Sequence, residues 1–313
     1  MQHRKLGNSD IHVAPFAFGG NVFGWTVNEA TSFLLLDAFV DAGFNLIDTA
    51  DMYSSWFNGN EGGESETIIG RWLRRSGRRD DVVIATKVAK WSKHPGLAPE
   101  NIRAAAEESL QRLGIEAIDV YFSHEDDPSI PIADSLGAYS RLIEEGKVRT
   151  IGASNFSAAR LAESLDVSEN ESLPRYEVLQ PEYNLMERSG YETELARLVH
   201  ERNLGVISYF ALASGFLTGK YRNHADLDSS PRGAGVGKYL DQRGNTVLSA
   251  LDEVAARLHA KPAQVALAWV MARPGISAPI ASATRLDQLD ELIDAAKLTL
   301  SPEDMASLDR AST

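Results

Sequence analysis

Short apolar runs alternate along this chain with longer segments whose apolar residues recur every three or four positions. The runs occupy residues 15–18, 45–48, 82–87, 118–123, 150–153, 177–180, 205–209 and 278–281. Runs of this length, apolar at nearly every position, predict strands covered on both faces. The segments 31–42, 65–75, 99–113, 133–145, 157–164, 191–203, 246–259 and 286–295 predict helices between them. Pro99 and Pro262 suit the first turn of a helix, and Gly43, Gly114 and Gly146 suit the left-handed stop after one. Strand–helix units in strict alternation predict a parallel sheet, and eight of them predict an α/β fold of the (β/α)8 TIM-barrel type. A doubly wound sheet is the main alternative. It carries a Gly-x-Gly-x-x-Gly turn after its first strand, and FGGNVFGW at 18–25 lacks that spacing. No break in composition divides residues 1–313, so one domain is expected. The connection from 214 to 245 is long, Gly-rich and polar, the mark of a functional loop.

Composition narrows the chemistry. Cysteine is absent, which removes disulfides, thiolate metal sites and thiol nucleophiles. The opening MQHRKLGNSD has no apolar signal core, and no run approaches the roughly 20 residues of a membrane span. A cytoplasmic enzyme without a membrane partner is the expectation. A net charge of −13 argues against a nucleic-acid surface. It leaves room for one small anion, because Lys220, Arg222, Arg232, Lys238 and Arg243 fall close together in sequence.

In a barrel of this kind the active site lies at the C-terminal ends of the strands. The second run ends on Asp48, with Tyr53 in the loop beyond; the third ends on Lys87 and the fourth on His124. The fifth delivers Ser154 and Asn155, the sixth Gln180 and the seventh Tyr209. A lone Asp after a strand is usually a turn former, and a lone Lys a surface residue with its stem on apolar ground. Convergence of all these tips on one face weakens such readings. A phenol ionises near pH 10, too high for easy proton exchange at neutrality. A neighbouring ammonium lowers that value, and a carboxylate holds the ammonium in place. Asp48, Lys87 and Tyr53 are therefore a candidate proton donor, with His124 placed to hydrogen-bond a substrate oxygen.

These residues resemble the aldo-keto reductase superfamily, and its bacterial long-loop branches most. IDTADMY (47–53), ATK (85–87) and DVYFSH (119–124) match its catalytic segments. VRTIGASNFS (148–157), LQPEYN (179–184), YFALASGFLTGKY (209–221) and PIASATRLDQLDEL (279–292) match its cofactor-contacting ones, in order along nearly the whole chain. The resemblance implies an NADP(H)-dependent oxidoreductase, NADH being less favoured, that reversibly reduces aldehydes and ketones. It implies Tyr53 as general acid, tuned by Lys87 and Asp48, with His124 orienting the carbonyl. Gly20, Ser154, Asn155 and Gln180 would lie at the nicotinamide, with Tyr209 stacked on its ring. Lys220 would meet the pyrophosphate. Ser282, Thr284, Arg285, Gln288 and Glu291 would hold the adenosine 2′-phosphate and adenine, Arg285 taking the phosphate. Phe210-Ala211 stands where the family usually has Ser-Pro, and Leu292 where many members have Asn.

Aromatic residues crowd the loops at the same ends: Phe23, Trp25, Trp56, Phe57 and Trp91, with Glu125 and Asp126 nearby. Trp25, Trp56, Trp91 and Glu125 are the candidate substrate contacts. An aromatic wall with an acidic rim suits a sugar-like carbonyl compound, and the same wall suits a large flat ketone. Two other readings stand beside this one. A barrel hydrolase could use Asp48, His124, Glu125, Asp126 and Asp127 as metal ligands, which leaves Lys87, Tyr53, Asn155, Gln180 and Tyr209 without a role. A cofactor-binding sensor or regulatory subunit of the same fold would keep every one of these residues. RGAGVGKY at 232–239 imitates a phosphate loop but lacks its first Gly and the Ser/Thr after Lys.

Overall fold

The computed structural model describes residues 2–229 and 233–313; Arg232 lies outside them. Eight parallel strands form one curled sheet. They are β1 (Ala17–Gly19), β2 (Leu46–Asp48), β3 (Val83–Val88), β4 (Ile118–Ser123), β5 (Val148–Ser154), β6 (Tyr176–Gln180), β7 (Gly205–Val206) and β8 (Ile280–Ala281). Strands β1 to β7 are neighbours in chain order, and β8 lies on the free side of β1. The amides of Ser277 and Ile280 donate to the carbonyls of Val206 and Ser208 at 2.8 Å each, so the β7 and β8 segments meet. That contact closes the (β/α)8 barrel the alternation predicts.

The helices start and stop on local chemistry. Helix α1 (Glu29–Asp41) is capped by the Asn28 side chain on the Thr31 amide. Helix α2 (Glu64–Ser76) ends on left-handed Gly77. Helix α3 (Pro99–Leu113) has Pro at its first turn and left-handed Gly114 at its end. After α4 (Ile132–Glu144), Gly146 turns the chain with a φ of 72°. Helix α5 (Ala158–Glu171) runs a full turn and more beyond residue 164, because Leu165 and Ser168 continue its buried face.

Some elements escape the hydrophobic pattern. The run at 263–272 is the helix Pro262–Met271, buried from Ala263 to Met271. A helix enclosed on all sides has no polar face and so no helical period to read. Two antiparallel hairpins, Arg4–Lys5 with His12–Val13 and Lys90–Trp91 with His94–Pro95, are too short to show an alternation.

The core has two parts. A larger one fills the space between sheet and helices. The smaller fills the barrel interior, where Leu46, Val83, Ala85, Val120, Phe122, Val178, Ile207 and Ile280 meet Leu6, Ile11 and Val13 of the N-terminal hairpin. The hairpin thus provides an apolar floor, and the site lies at the opposite end.

Candidate active site

Side chains of a strand point alternately to its two faces. Leu46 belongs to the interior cluster and Ile47 to the outer one, so Asp48 points inward. The same step places Lys87 above Val83 and Ala85, His124 above Val120 and Phe122, and Gln180 above Val178. Tyr209 above Ile207 and Ser282 above Ile280 follow the same rule. The inner faces of β2, β3, β4 and β6 are apolar below and polar above, and the closed barrel brings the upper residues together.

Lys87 is fully buried, and its ammonium has three acceptors. It donates to Asp48 Oδ2 at 2.8 Å, to the Thr49 carbonyl at 2.6 Å and to Tyr53 Oη at 3.0 Å. An ammonium has three N–H bonds, so this set satisfies it. Asp48 is held from its other side by Gln180 Nε2, 2.9 Å from Oδ1. A buried ion pair is tolerable only when its remaining bonding capacity is met in this way. Because Lys87 donates to the phenol oxygen, the Tyr53 proton is left to point elsewhere. Its one acceptor within the protein is Asp48 Oδ2, at 3.3 Å. The Tyr53 and His124 rings stand edge to face, 6.2 Å apart between centroids.

The ionisation states depart from the simple expectation that Lys87 lowers the phenol. Burial, followed by the charge and hydrogen bond of Asp48, holds Tyr53 well above its ordinary value. Lys87 and Asp48 neutralise one another, so desolvation dominates at the phenol. Burial also pushes the Lys87 ammonium down, against the pull of Asp48. Burial, then the charges of Lys87 and Lys90, hold His124 well below 6.5 and keep its imidazole neutral. The arrangement presents a protonated phenol and a neutral imidazole to one space.

A hydrogen-bonded belt joins the next strand tips. Asn155 adopts a left-handed φ of 56°, which its short polar side chain tolerates. Its amide donates to the His124 carbonyl at 2.8 Å and accepts from Tyr209 Oη at 2.8 Å. Ser154 Oγ donates to the Gln180 carbonyl at 2.9 Å. Three polar side chains are thereby fixed by each other and by strand backbone.

These groups open onto a cleft of about 1210 Å³ that runs from Trp25, Trp56 and Phe57 past Tyr53 and Tyr209 to Thr284 and Arg285. Gly19 forms part of its wall; a Cβ there would come within 2.6 Å of Ser282 Oγ. At the far end Ser282 Oγ donates to the Gly19 carbonyl at 2.7 Å, and Thr284 is tied to Gln288 Oε1 at 2.9 Å. Arg285 makes a two-pronged pair with Asp287, 3.0 Å on each arm. Lys261 pairs with Glu291 across the same end. Lys220 lines the cleft between the two ends.

Three expected site residues lie elsewhere. Gly20 follows the inward Gly19 and so faces outward, where the Ser65 hydroxyl donates to its carbonyl at 2.8 Å; Asn21, one step on, lines the cleft in its place. Trp91 is buried outside the cleft, its indole N–H on the Glu61 carbonyl at 3.0 Å and the Arg112 guanidinium over its ring. Glu125 follows the inward His124 and leaves the cleft wall to Lys90. The reason Lys90 and not Trp91 faces the cleft is Ala89, which has a φ of 107°. Val88 and Ala89 both pack in the outer core, so the alternation slips by one residue and Lys90 turns inward while Trp91 turns out. The acidic rim goes with Glu125: Asp126 pairs with Arg160 at 3.0 Å, and Asp127 accepts from the Leu97 and Ser129 amides. Among the described residues no three His, Asp or Glu side chains are grouped to hold a metal ion. The basic cluster also separates. Arg222 pairs with Asp252 and Lys238 with Glu187, Arg243 meets the Met186 and Ser312 carbonyls, and Lys220 alone of the four lines the cleft. Lys261 and Lys90 were not legible as site residues, since neither ends a barrel strand.

The model of the Aldo/keto reductase family matches residues 15–313. The chain belongs to this family. Protein tas of Escherichia coli K12 is 31% identical to it, over 99% of this chain and 97% of that one. An uncharacterized oxidoreductase, YrpG of Bacillus subtilis, is 32% identical over 97% and 93%. A probable voltage-gated potassium channel subunit beta of Arabidopsis thaliana is 33% identical over 93% and 90%. Aldo/keto reductases are oxidoreductases that typically bind nicotinamide cofactors. The fold here is the parallel barrel, and among the described residues no helix is long and apolar enough to cross a membrane.

Proposed function

We propose that this aldo/keto reductase reduces an aldehyde or ketone to an alcohol, with NADPH as hydride source and Tyr53 as the general acid. The observation that carries the reading is the Lys87 ammonium, held by Asp48 and donating to Tyr53 Oη at 3.0 Å. A bound nicotinamide dinucleotide supplies the hydride. The protein's own groups supply the rest. The neutral His124 keeps an N–H to hydrogen-bond a carbonyl oxygen in the cleft. Tyr53, held protonated, gives its proton to that oxygen as negative charge develops there. An alkoxide is a far stronger base than a phenolate, so a raised phenol value does not obstruct the transfer. Once the proton leaves, the Lys87 N–H already aimed at Oη stabilises the phenolate.

The cleft's shape supports an extended dinucleotide. Tyr209 offers a half-exposed ring, and the free carbonyl oxygen of the Gln180 amide and the Asn155 side chain suit a carboxamide. Lys220, Lys261 and Arg285 supply positive charge toward the far end. Arg285 precedes the helix Leu286–Ala295, whose N-terminus adds partial positive charge for a 2′-phosphate.

The test is Tyr53→Phe, assayed by NADPH oxidation against a panel of aldehydes, ketoses and cyclic ketones. Turnover should fall by about a hundredfold or more. NADPH affinity, read by protein fluorescence, should stay within about twofold, because the phenol takes no part in holding the cofactor in this reading. A variant rate near that of the parent would take Tyr53 out of the acid role. A second reading is a cofactor-binding regulatory subunit, since one relative's name is that of a probable potassium channel subunit beta. Tight NADPH binding without turnover on any carbonyl would support that one instead.

A further inference from the structure

We propose that the natural substrate carries a carboxylate on an aromatic or apolar body, and that Lys90 receives the carboxylate. The inference rests on the reductase reading and goes beyond it to the substrate class. At the substrate end the cleft is lined by Trp25, Met52, Trp56 and Phe57, together with His124 and Lys90. Trp56 meets the Trp25 ring at 5.7 Å and the Tyr53 ring at 5.9 Å, so the wall is continuous with the acid. Trp56 and Phe57 are each 46% exposed, which leaves a broad apolar surface for a flat ligand. The carboxylates that would recognise sugar hydroxyls, Glu125 and Asp126, are not part of this wall.

Lys90 is the charged side chain that remains at this end once Asp48 is committed to Lys87. Its position is built: the left-handed Ala89 reverses the chain into the hairpin that carries it, and the Gly96 amide donates to the Ala89 carbonyl at 2.9 Å. A β-carbon at such a φ is strained, which marks a strand end shaped for more than packing. The Lys90 ammonium makes one ion pair, with Glu125 at 3.7 Å, beyond hydrogen-bond length. Glu125 is itself nearly half exposed, so this pair is weak and readily exchanged for a better one. A single ammonium without an arginine fork or a second cation suits a carboxylate better than a phosphate dianion. The charge of Lys90 is also felt at His124, which ties it to the reacting end.

The experiment compares para-formylbenzoate with its methyl ester, two aldehydes of one shape that differ in charge. With NADPH saturating, wild type should prefer the carboxylate in kcat/KM. Lys90→Met should reduce the carboxylate-to-ester preference about tenfold, the loss expected for one charge-assisted hydrogen bond. Glu125→Gln should preserve or raise it, and added salt should lower it in wild type. A preference unchanged by Lys90→Met overturns the inference while leaving the reductase reading intact. Failure of wild type to reduce either aldehyde overturns the reductase reading instead. Quenching of tryptophan fluorescence by para-formylbenzoate then decides the anion site by itself: binding weakened about tenfold in Lys90→Met upholds it, and equal binding removes it.

Discussion

Asp51 precedes the phenol in the same loop, fully enclosed, and among the described residues no side chain hydrogen-bonds its carboxyl. Burial, then the charge of Glu66, pushes its pKa up to about 8. In an unfolded chain the same group ionises near 3.9. Between those two values the folded protein holds a proton that the unfolded chain has lost. Stability therefore falls as pH rises through that window, and the loss is complete above about 8. Asp51→Asn keeps the shape of the protonated carboxyl and removes the titration. Urea midpoints of variant and parent should lie close together at about pH 4 and separate progressively in favour of the variant up to about pH 8. A separation independent of pH would show that Asp51 is not the source. At this scale the sequence discloses much of the site: Asp48, Lys87, His124, Gln180 and Tyr209 end apolar runs on a polar residue, and the barrel gathers such ends. What stays hidden is which face a residue takes. Gly20 and Glu125 each sit one step past an inward residue, and Trp91 is turned out by a single backbone angle at Ala89 that no residue pattern signals.

Helices α2 and α3 approach closely because α2 carries Gly70 in its interior. A Cβ at that position would come within 2.3 Å of the Arg112 carbonyl oxygen and 2.6 Å of that of Leu113. Gly70→Ala gains about 1 kcal/mol of helix propensity but forces the two helices apart. Overpacking at such contacts costs about 1–3 kcal/mol, so the net effect should be destabilising. Thermal unfolding checks the sign, and a raised melting temperature would mean that the α2–α3 contact yields freely. The strain has a further reach. Arg112 pairs with Glu66 at 2.6 Å, and Glu66 accepts from Thr86 at 2.5 Å on β3, beside Lys87. Helices α1 to α5 were legible because one face of each is buried. The two hairpins were not, and the helix Pro262–Met271 was legible only at its start, Pro262, since elements of two residues or with no polar face carry no period.

The whole molecule is a barrel closed at one end by its own N-terminal hairpin. Leu6 is fully buried in the interior cluster, far along the strands from the polar tips. Leu6→Ala should cost about 2–5 kcal/mol, the usual range for a large residue cut from a closed core. The denaturant midpoint would report it, while NADPH affinity should stay near that of the parent. A midpoint unmoved by the change would mean that the floor relaxes around the gap. The barrel itself was readable from the count of apolar runs; its closure over a chain-terminal plug was not, because residues 4–13 form neither a long strand nor a helix.

Reactive groups and floor residues share the same strands, at every second position. One residue inserted low in β3 would swing Lys87 out among the helices and bring Val88 or Thr86 to the mouth. An insertion of two would restore the ammonium, but higher up. Strand length in this protein is thus restricted to even changes, whereas loops above the mouth can lengthen by any number. The loops can be rewritten freely, while the Lys87 ammonium stays fixed beneath them for reasons of counting as much as of chemistry.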